Sequence, residues 1–437
     1  EIPGLKAGFA FHKMTKIRPF RAVVYNQERI AGVDRVVCPP YDVISPEQQE
    51  NYLRRDPFNF IHIILGKDVR GENKYRRAAA YFNGWLDQGI LRRDDEPAFY
   101  FYSQKYRVDG NVMLRTGFMG LLKLEDKNSS VYGHEHTRLE AKEDRLRLIK
   151  EVKANLSPIF AVFPDKKKFM PAFVRKYITP RDPDVFFTDD AGVEHKMWRV
   201  SDPALVEMVR GALSKECIFI ADGHHRYEVS CAYRRQMKEK AGRKKGEQSY
   251  DCTLAYFTGA DPSGLSILPI HRLVKTSLPQ GEKQFLEQLK EHFEVSAPMG
   301  KAGLFAALRS APSSSHVIGM YMSGKYRLLR LKDKKSLDKL MPDKSREYRL
   351  LDVSILNQLV FLGILGLLPE SKDALKYSED REETIKAVDA GEGRMAFFLR
   401  PVTMEQIISV ALKGEKMPAK STFFYPKLIS GMVVHKH

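Results

Sequence analysis

The sequence predicts an α+β, mixed α/β protein, and three observations carry that reading. Short β-branched and aromatic runs alternate with amphipathic stretches from end to end, with no internal repeat. One fully apolar run, Cys217 to Ala221, passes straight into Asp222-Gly223-His224-His225-Arg226-Tyr227 and a helix reaching about Lys240, which is a strand, glycine turn, helix unit. The composition, 43% hydrophobic, 29% charged and 11% aromatic over 437 residues, is that of a folded globular chain.

In chain order, the region from Ile17 opens with extended stretches and a proline-rich turn, Cys38-Pro39-Pro40-Tyr41-Asp42-Val43. Ser45-Pro46-Glu47 then reads as an N-cap with proline at the first helical position, and Tyr75 to Gly89 carries apolar residues at helical spacing. Ala98 to Tyr106 and Val112 to Leu124, separated by Asp109-Gly110, give a hairpin signal. Arg138 to Lys153 is amphipathic and helical, and Pro158 to Phe163 is a strand. The basic segment Arg234 to Lys245 reads as a solvated loop ending the next helix. Further strands are expected at Cys252 to Tyr256 and Ser266 to Pro269, then a helix at Glu282 to His292 and a strand pair around Met322-Ser323-Gly324. A buried helix at Leu351 to Leu365, a helix at Glu382 to Ala390, a strand at Met395 to Leu399 and a helix at Met404 to Lys413 complete the chain.

Charge and cysteine usage narrow the function classes. Lys+Arg exceed Asp+Glu by 72 to 55, a net +17, which suits an anionic partner or simple solubility. The four cysteines, Cys38, Cys217, Cys231 and Cys252, form no CxxC pair, so a disulfide scaffold or cysteine-rich zinc module has no support and a reducing cytoplasm is the expected setting. The longest apolar run, Leu359 to Leu368, is half the roughly 20 residues a membrane span needs and is expected to be a buried helix. Glu1 to Phe20 lacks the order of a secretory signal.

Three clusters carry chemistry. At Asp222-Gly223-His224-His225-Arg226, a glycine turn opens a helix whose backbone N–H groups and dipole meet two imidazoles and a guanidinium, an arrangement suited to phosphate or carboxylate. Asp222 would orient a histidine or hold a metal; an ordinary Asp-Gly turn is the plain alternative. In Gly133-His134-Glu135-His136-Thr137, an extended backbone puts both histidines on one face. Zinc there lacks a supporting HExxH helix or cysteine pair, and Glu135 suits a general base or a helix N-terminal carboxylate. The third, Gly414 to Thr422, resembles a phosphate loop with Ala419 and Pro418 out of place. A true one needs a strand before and a helix after, so the assignment is rejected, while Lys420, Ser421, Thr422, Tyr425 and Lys427 still crowd anion-binding groups together.

These pieces resemble a known family. The residues are Arg18-Pro19-Phe20, Pro39-Pro40-Tyr41-Asp42-Val43-Ile44-Ser45, Gly133-His134-Glu135 with Thr137, and Lys142 with Asp144-Arg145-Leu146. With them go Asn155 with Ser157-Pro158-Ile159, Ala221 to Tyr227, Pro269 with His271-Arg272, Met417-Pro418 with Lys420-Ser421-Thr422, Tyr425-Pro426-Lys427 and Gly431. Together they resemble the DUF1015 family of bacterial and archaeal proteins, over about Ile17 to Met432. The Asp222–Arg226 segment resembles the phosphate-handling turn of the ParB/sulfiredoxin-like domain. Within that superfamily, ADP-using free-serine kinases share both a His-Glu segment followed by a Glu- and Arg-rich helix and this turn.

The resemblance implies a ParB/sulfiredoxin-like catalytic core at residues 111–278, between an N-terminal α+β region at 1–110 and a C-terminal α+β domain at 279–437. It implies Glu135 as base toward the serine hydroxyl, with Asp222, His224 and His225 also in the catalytic set. His134, Thr137, Gly223, Arg226, His271, Arg272, Lys420, Ser421 and Lys427 would bind phosphate or substrate. This chain has His136 where the kinases are acidic, and about 90 residues between the two segments, so Pro164 to Ser214 is expected to loop out. The implied function is an enzyme of phosphoryl transfer between serine and phosphoserine, phosphatase-like or kinase-like, with an adenine nucleotide (ADP or AMP) and Mg²⁺ as cofactors and Asp222 as the candidate Mg²⁺ ligand. The alternative is a ParB-like nucleotide-binding module that contacts DNA. No membrane partner is expected, and oligomeric state is not legible.

Overall fold

The hairpin built on Asp109-Gly110 is the centre of the larger of two units. Its arms, Phe99–Val108 and Asn111–Lys123, pair in antiparallel register with Tyr100 opposite Met119 and Val108 opposite Asn111, and both turn residues have positive φ, as a tight two-residue hairpin requires. The computed structural model describes residues 15–125, 129–242, 246–278 and 281–437. By contact density the chain divides into a unit of His134–His136 with Ile267–Tyr425, and one of the described residues up to Gly133 with Thr137–Ser266 and Pro426–His437. The expectation for Glu1 to Phe20 lies outside the described residues as far as Met14, as do residues 243–245 of the basic segment and the 278/279 boundary's second residue, Pro279.

The larger unit carries a mixed nine-stranded sheet. Across it run Val131–Gly133, Ile218–Asp222, Ile159–Phe163, Cys252–Gly259, the hairpin arms, Glu194–Val200 and Val185–Thr188, with Ile17–Arg18 on the second arm. Two neighbours are parallel, Val131–Gly133 beside Ile218–Ile220 and Ile159–Phe163 beside Ala255–Gly259; the other pairs are antiparallel. The predicted helices form at Pro46–Arg55, capped reciprocally by Ser45 and Gln48, and at Lys74–Asp87, Leu139–Val152 and His224–Ala241.

Three expectations are corrected here. The segment Pro164 to Ser214 does not loop out: Glu194–Val200 joins the main sheet against Phe99–Val108, and Phe173, Ile178, Val209 and Leu213 fill its apolar core. Those apolar side chains are buried by packing on that sheet. Arg234 is no loop residue but a buried one inside the Asp222-led helix, paired with Asp251 at 2.8 Å. The apolar run from Leu359 is only half buried, with Phe361 inside and Leu362 and Leu368 exposed.

The smaller unit is built on a six-stranded antiparallel sheet in the order Phe293–Val295, Lys325–Leu331, Val317–Met322, Met395–Phe398, His271–Val274 and Leu375–Ser378. Its core joins Leu304, Leu308, Val317, Ile385 and Phe398. The Ser323-Gly324 turn, both residues at positive φ, closes the predicted strand pair. Among the described residues no helix is long and apolar enough to cross a membrane.

Candidate functional site

In the larger unit the Asp222-led turn is shaped by a break in register. Pairing of Ile218–Asp222 with Ile159–Phe163 shifts between Ile220 and Asp222, a bulge that re-aims the last strand residue. Gly223 follows at φ +86°, and a Cβ there would lie 2.9 Å from the Arg226 guanidinium, so glycine is required on both counts. Having no side chain, Gly223 caps none of the helix's first N–H groups.

Asp222 is the hub. One carboxylate oxygen accepts from the Gly223 N–H at 2.6 Å and lies 3.7 Å from Arg226; the other accepts from Lys427 Nζ at 3.0 Å. Burial opposes its charge, but Lys427, Arg226 and that N–H outweigh burial and hold the carboxyl ionised far below the usual range. Arg226 also donates to the Pro158 carbonyl. Lys427 is set in place through its backbone: Gln104 donates to its carbonyl at 2.9 Å, and fully buried Arg115 donates to Gln104 and to the Pro426 carbonyl.

Asp42 completes the charge set. It faces solvent on the short turn Tyr41–Val43. The protein crowding it and the charge of Asp222 push its carboxyl up, against the pull of Arg226 and Lys427. Beside it Tyr41 stacks under the Arg145 guanidinium at 4.1 Å, and burial pushes the Tyr41 phenol up to about 12. Tyr41, Arg145 and Arg226 share the wall of a cavity of about 60 Å³ with apolar Leu148, Ile149 and Val229, room enough for several waters.

The starts of the Leu139–Val152 and His224–Ala241 helices are tied together. Thr137 Oγ1 and Lys142 Nζ donate to Glu228 at 2.7 and 3.1 Å. The Arg138 N–H donates to His225 Nε2 at 2.8 Å, so that nitrogen carries the lone pair and the ring's proton sits on Nδ1. His224 is buried.

The remaining sequence-predicted residues belong to the smaller unit. Met417 N–H donates to the His134 carbonyl at 2.7 Å, and His134 Nε2 lies 3.2 Å from Thr422 Oγ1, so the His134–His136 segment is laced to the 417–422 loop. Ser421 Oγ donates to the Pro418 carbonyl. Arg272 is buried, donating to the Ile270 carbonyl and, at 2.9 Å, to that of Lys420. Burial, then the Arg272 charge, pushes His271 down to about 3. The loop leads into a strand, Phe423–Tyr425, and not a helix, in keeping with its rejection as a phosphate loop.

Sequence reasoning passed over Asp42, Glu228 and the Gln104/Arg115 support. Only Asp42 had a signal, the Pro39-Pro40-Tyr41-Asp42 motif. The residues at Asp222 do not fit a Mg²⁺ ligand set: both oxygens are engaged and two cations flank them. Among the described residues no group of three or more His, Cys, Asp or Glu could hold a metal.

The chain belongs to the DUF1015 family, described as proteins of unknown function, whose model matches residues 17–354. None of the curated proteins matches. Among solved structures, a free serine kinase variant in complex with AMP is similar at 12% identity and TM-score 0.33, over 68% of this chain and 83% of that one. SbnI with a C-terminal truncation, from Staphylococcus aureus, is similar at 13% identity and TM-score 0.36, over 72% and 86%. A conserved hypothetical protein from Pyrococcus furiosus gives 13% identity and TM-score 0.31, over 68% and 89%. Likeness at this level assigns no residue a role.

Proposed function

We propose that this chain is a phosphoryl-transfer enzyme of serine metabolism that interconverts serine and O-phosphoserine, with water or an adenine nucleotide as the other phosphoryl partner. The observation that carries the reading is the Asp222–Arg226 turn, where a helix start that Gly223 cannot cap with a side chain, Arg226 and Lys427 gather round a carboxylate held far below the usual range. Phosphoryl transfer asks a protein mainly for positioning and for neutralisation of charge on the outer oxygens. The helix N–H groups take those oxygens, and Asp222 positions Arg226 and Lys427. His225, its Nε2 spent on the Arg138 N–H, holds the helix starts in register. The motif resemblance supplies the serine assignment and the proton acceptor, Glu135.

In the hydrolytic direction a water oxygen attacks phosphorus, the serine oxygen leaves, and the water's proton passes through Glu135 to the departing oxygen. In the synthetic direction Glu135 takes the serine hydroxyl proton as that oxygen attacks the terminal phosphorus of ADP, and AMP departs. Mg²⁺ has no ligand role at Asp222 in this scheme. Steady-state kinetics on the Arg226→Met variant test it: KM for O-phosphoserine is expected to rise about tenfold or more, as loss of a charge-assisted contact implies. An unchanged KM and kcat would remove Arg226, and with it the turn, from the reaction.

A further inference from the structure

Arg272 is 1% exposed, yet among the described residues no carboxylate pairs with it. Among those residues its terminal nitrogens donate to the carbonyls of Ile270 and Lys420, its guanidinium lies 5.4 Å from the Tyr377 ring, and its Nε has no hydrogen-bond partner. Burial pushes its pKa down to about 10, with Tyr377 opposing, and the guanidinium remains protonated at neutral pH. An uncompensated buried cation is costly and is normally paired.

Lys420 has φ +58°, an uncommon conformation for a residue with a side chain, and its carbonyl is the one pinned by Arg272. The Lys420 side chain is exposed and forms no ion pair among the described residues. The loop thus joins a buried cation to an exposed one, neither in an ion pair among the described residues, while His134, Ser421 and Thr422 brace it from within.

We infer that the 417–422 loop is an anion site completed by the phosphoryl group of a small phosphorylated ligand. Arg272 serves it as a positioning residue acting through the Lys420 carbonyl, and Lys420 Nζ meets the ligand. The identity of the ligand rests on the reading above; the existence of the anion site does not.

Titration calorimetry of the full chain with inorganic phosphate at low ionic strength tests it. The wild type is expected to bind, and Arg272→Met to bind at least tenfold more weakly while melting no lower than wild type when unliganded, since the apolar side chain removes a buried, unpaired charge. Arg272→Lys restores part of the affinity. Lys420→Met, which changes an exposed side chain only, is expected to weaken binding severalfold and settles the matter if the Arg272 variant does not fold. Absent binding by the wild type, or wild-type affinity in Lys420→Met or in folded Arg272→Met, overturns the inference. Serine turnover with phosphate affinity indifferent to both substitutions overturns this inference alone. Phosphate affinity that falls as described, in a wild type that never turns over phosphoserine, overturns the serine reading alone.

Discussion

Lys427 and Lys420 lie seven residues apart in sequence, in different units, and each is held through backbone carbonyls by a fully buried arginine. Arg115 grips the Pro426 carbonyl beside Lys427, and Arg272 grips that of Lys420. There the likeness stops. Lys427 closes an ion pair with Asp222 at 3.0 Å, whereas Lys420 points to solvent without an ion pair among the described residues. In the first region Asp222 pairs with both Arg226 and Lys427 and positions them. The second is left with excess positive charge, and an anion is what would complete it. The same side chains therefore do different work: preorganisation in one unit, capture in the other.

The largest expected effect breaks the balanced side. Asp222→Ala leaves Arg226 and Lys427 half-buried without their anion and is expected to cost about 3–5 kcal/mol, read as a lowered denaturant midpoint. A loss near zero would mean that water already screens the cluster. Next, Glu135→Gln should cut turnover of O-phosphoserine by roughly 10²- to 10⁴-fold, the usual worth of a general base, with little change in stability. Wild-type turnover in that variant removes Glu135 as the proton acceptor.

Acid titration of stability then distinguishes the two regions. The Asp222 carboxyl is depressed in the folded state, so its stabilisation is complete above the ordinary carboxylate range, near about pH 4, and is lost as pH falls below it. His271 is buried and neutral, lowered from 6.5 to about 3, so stability is lost as pH falls through that window while the unfolded chain gains a proton the folded one refuses. His435 and His437, down to about 4 and about 3, act in the same direction in the larger unit. Asp222→Asn should therefore flatten the curve only below about pH 4, and His271→Gln should flatten it from about 6.5 downward. Swapped windows would contradict both assignments. Smallest are the helix caps, one per unit: Ser45→Ala and Thr403→Ala each remove a reciprocal cap and should cost about 1 kcal/mol in urea unfolding.

Features written in neighbouring residues were legible in the sequence. Ser45-Pro46 with Gln48, the Asp109-Gly110 hairpin and the strand-turn-helix at Asp222 each depend on a few consecutive residues, and each formed. What failed was nonlocal. Arg234 looked solvated because Asp251, the partner that allows its burial, lies 17 residues on in sequence. Pro164 to Ser214 looked like an excursion because the strand that receives Glu194–Val200 lies about 90 residues earlier. The site behaves likewise: the glycine, histidines and arginine of the turn were visible together, but the Asp42, Asp222 and Lys427 cluster draws on three distant parts of the chain. Likewise, a sequence lists Arg272 as a cation and cannot show that, among the described residues, it forms no ion pair.

The central claim is phosphoryl transfer at serine, and phosphorus NMR of the purified full chain with O-phosphoserine, alone and with AMP, ADP and Mg²⁺, tests it most directly. The account predicts loss of the phosphoserine resonance, with inorganic phosphate appearing if water accepts or ADP if AMP does, and with stoichiometric release of serine. Unchanged phosphoserine under every condition, with the protein shown to be folded, would contradict it.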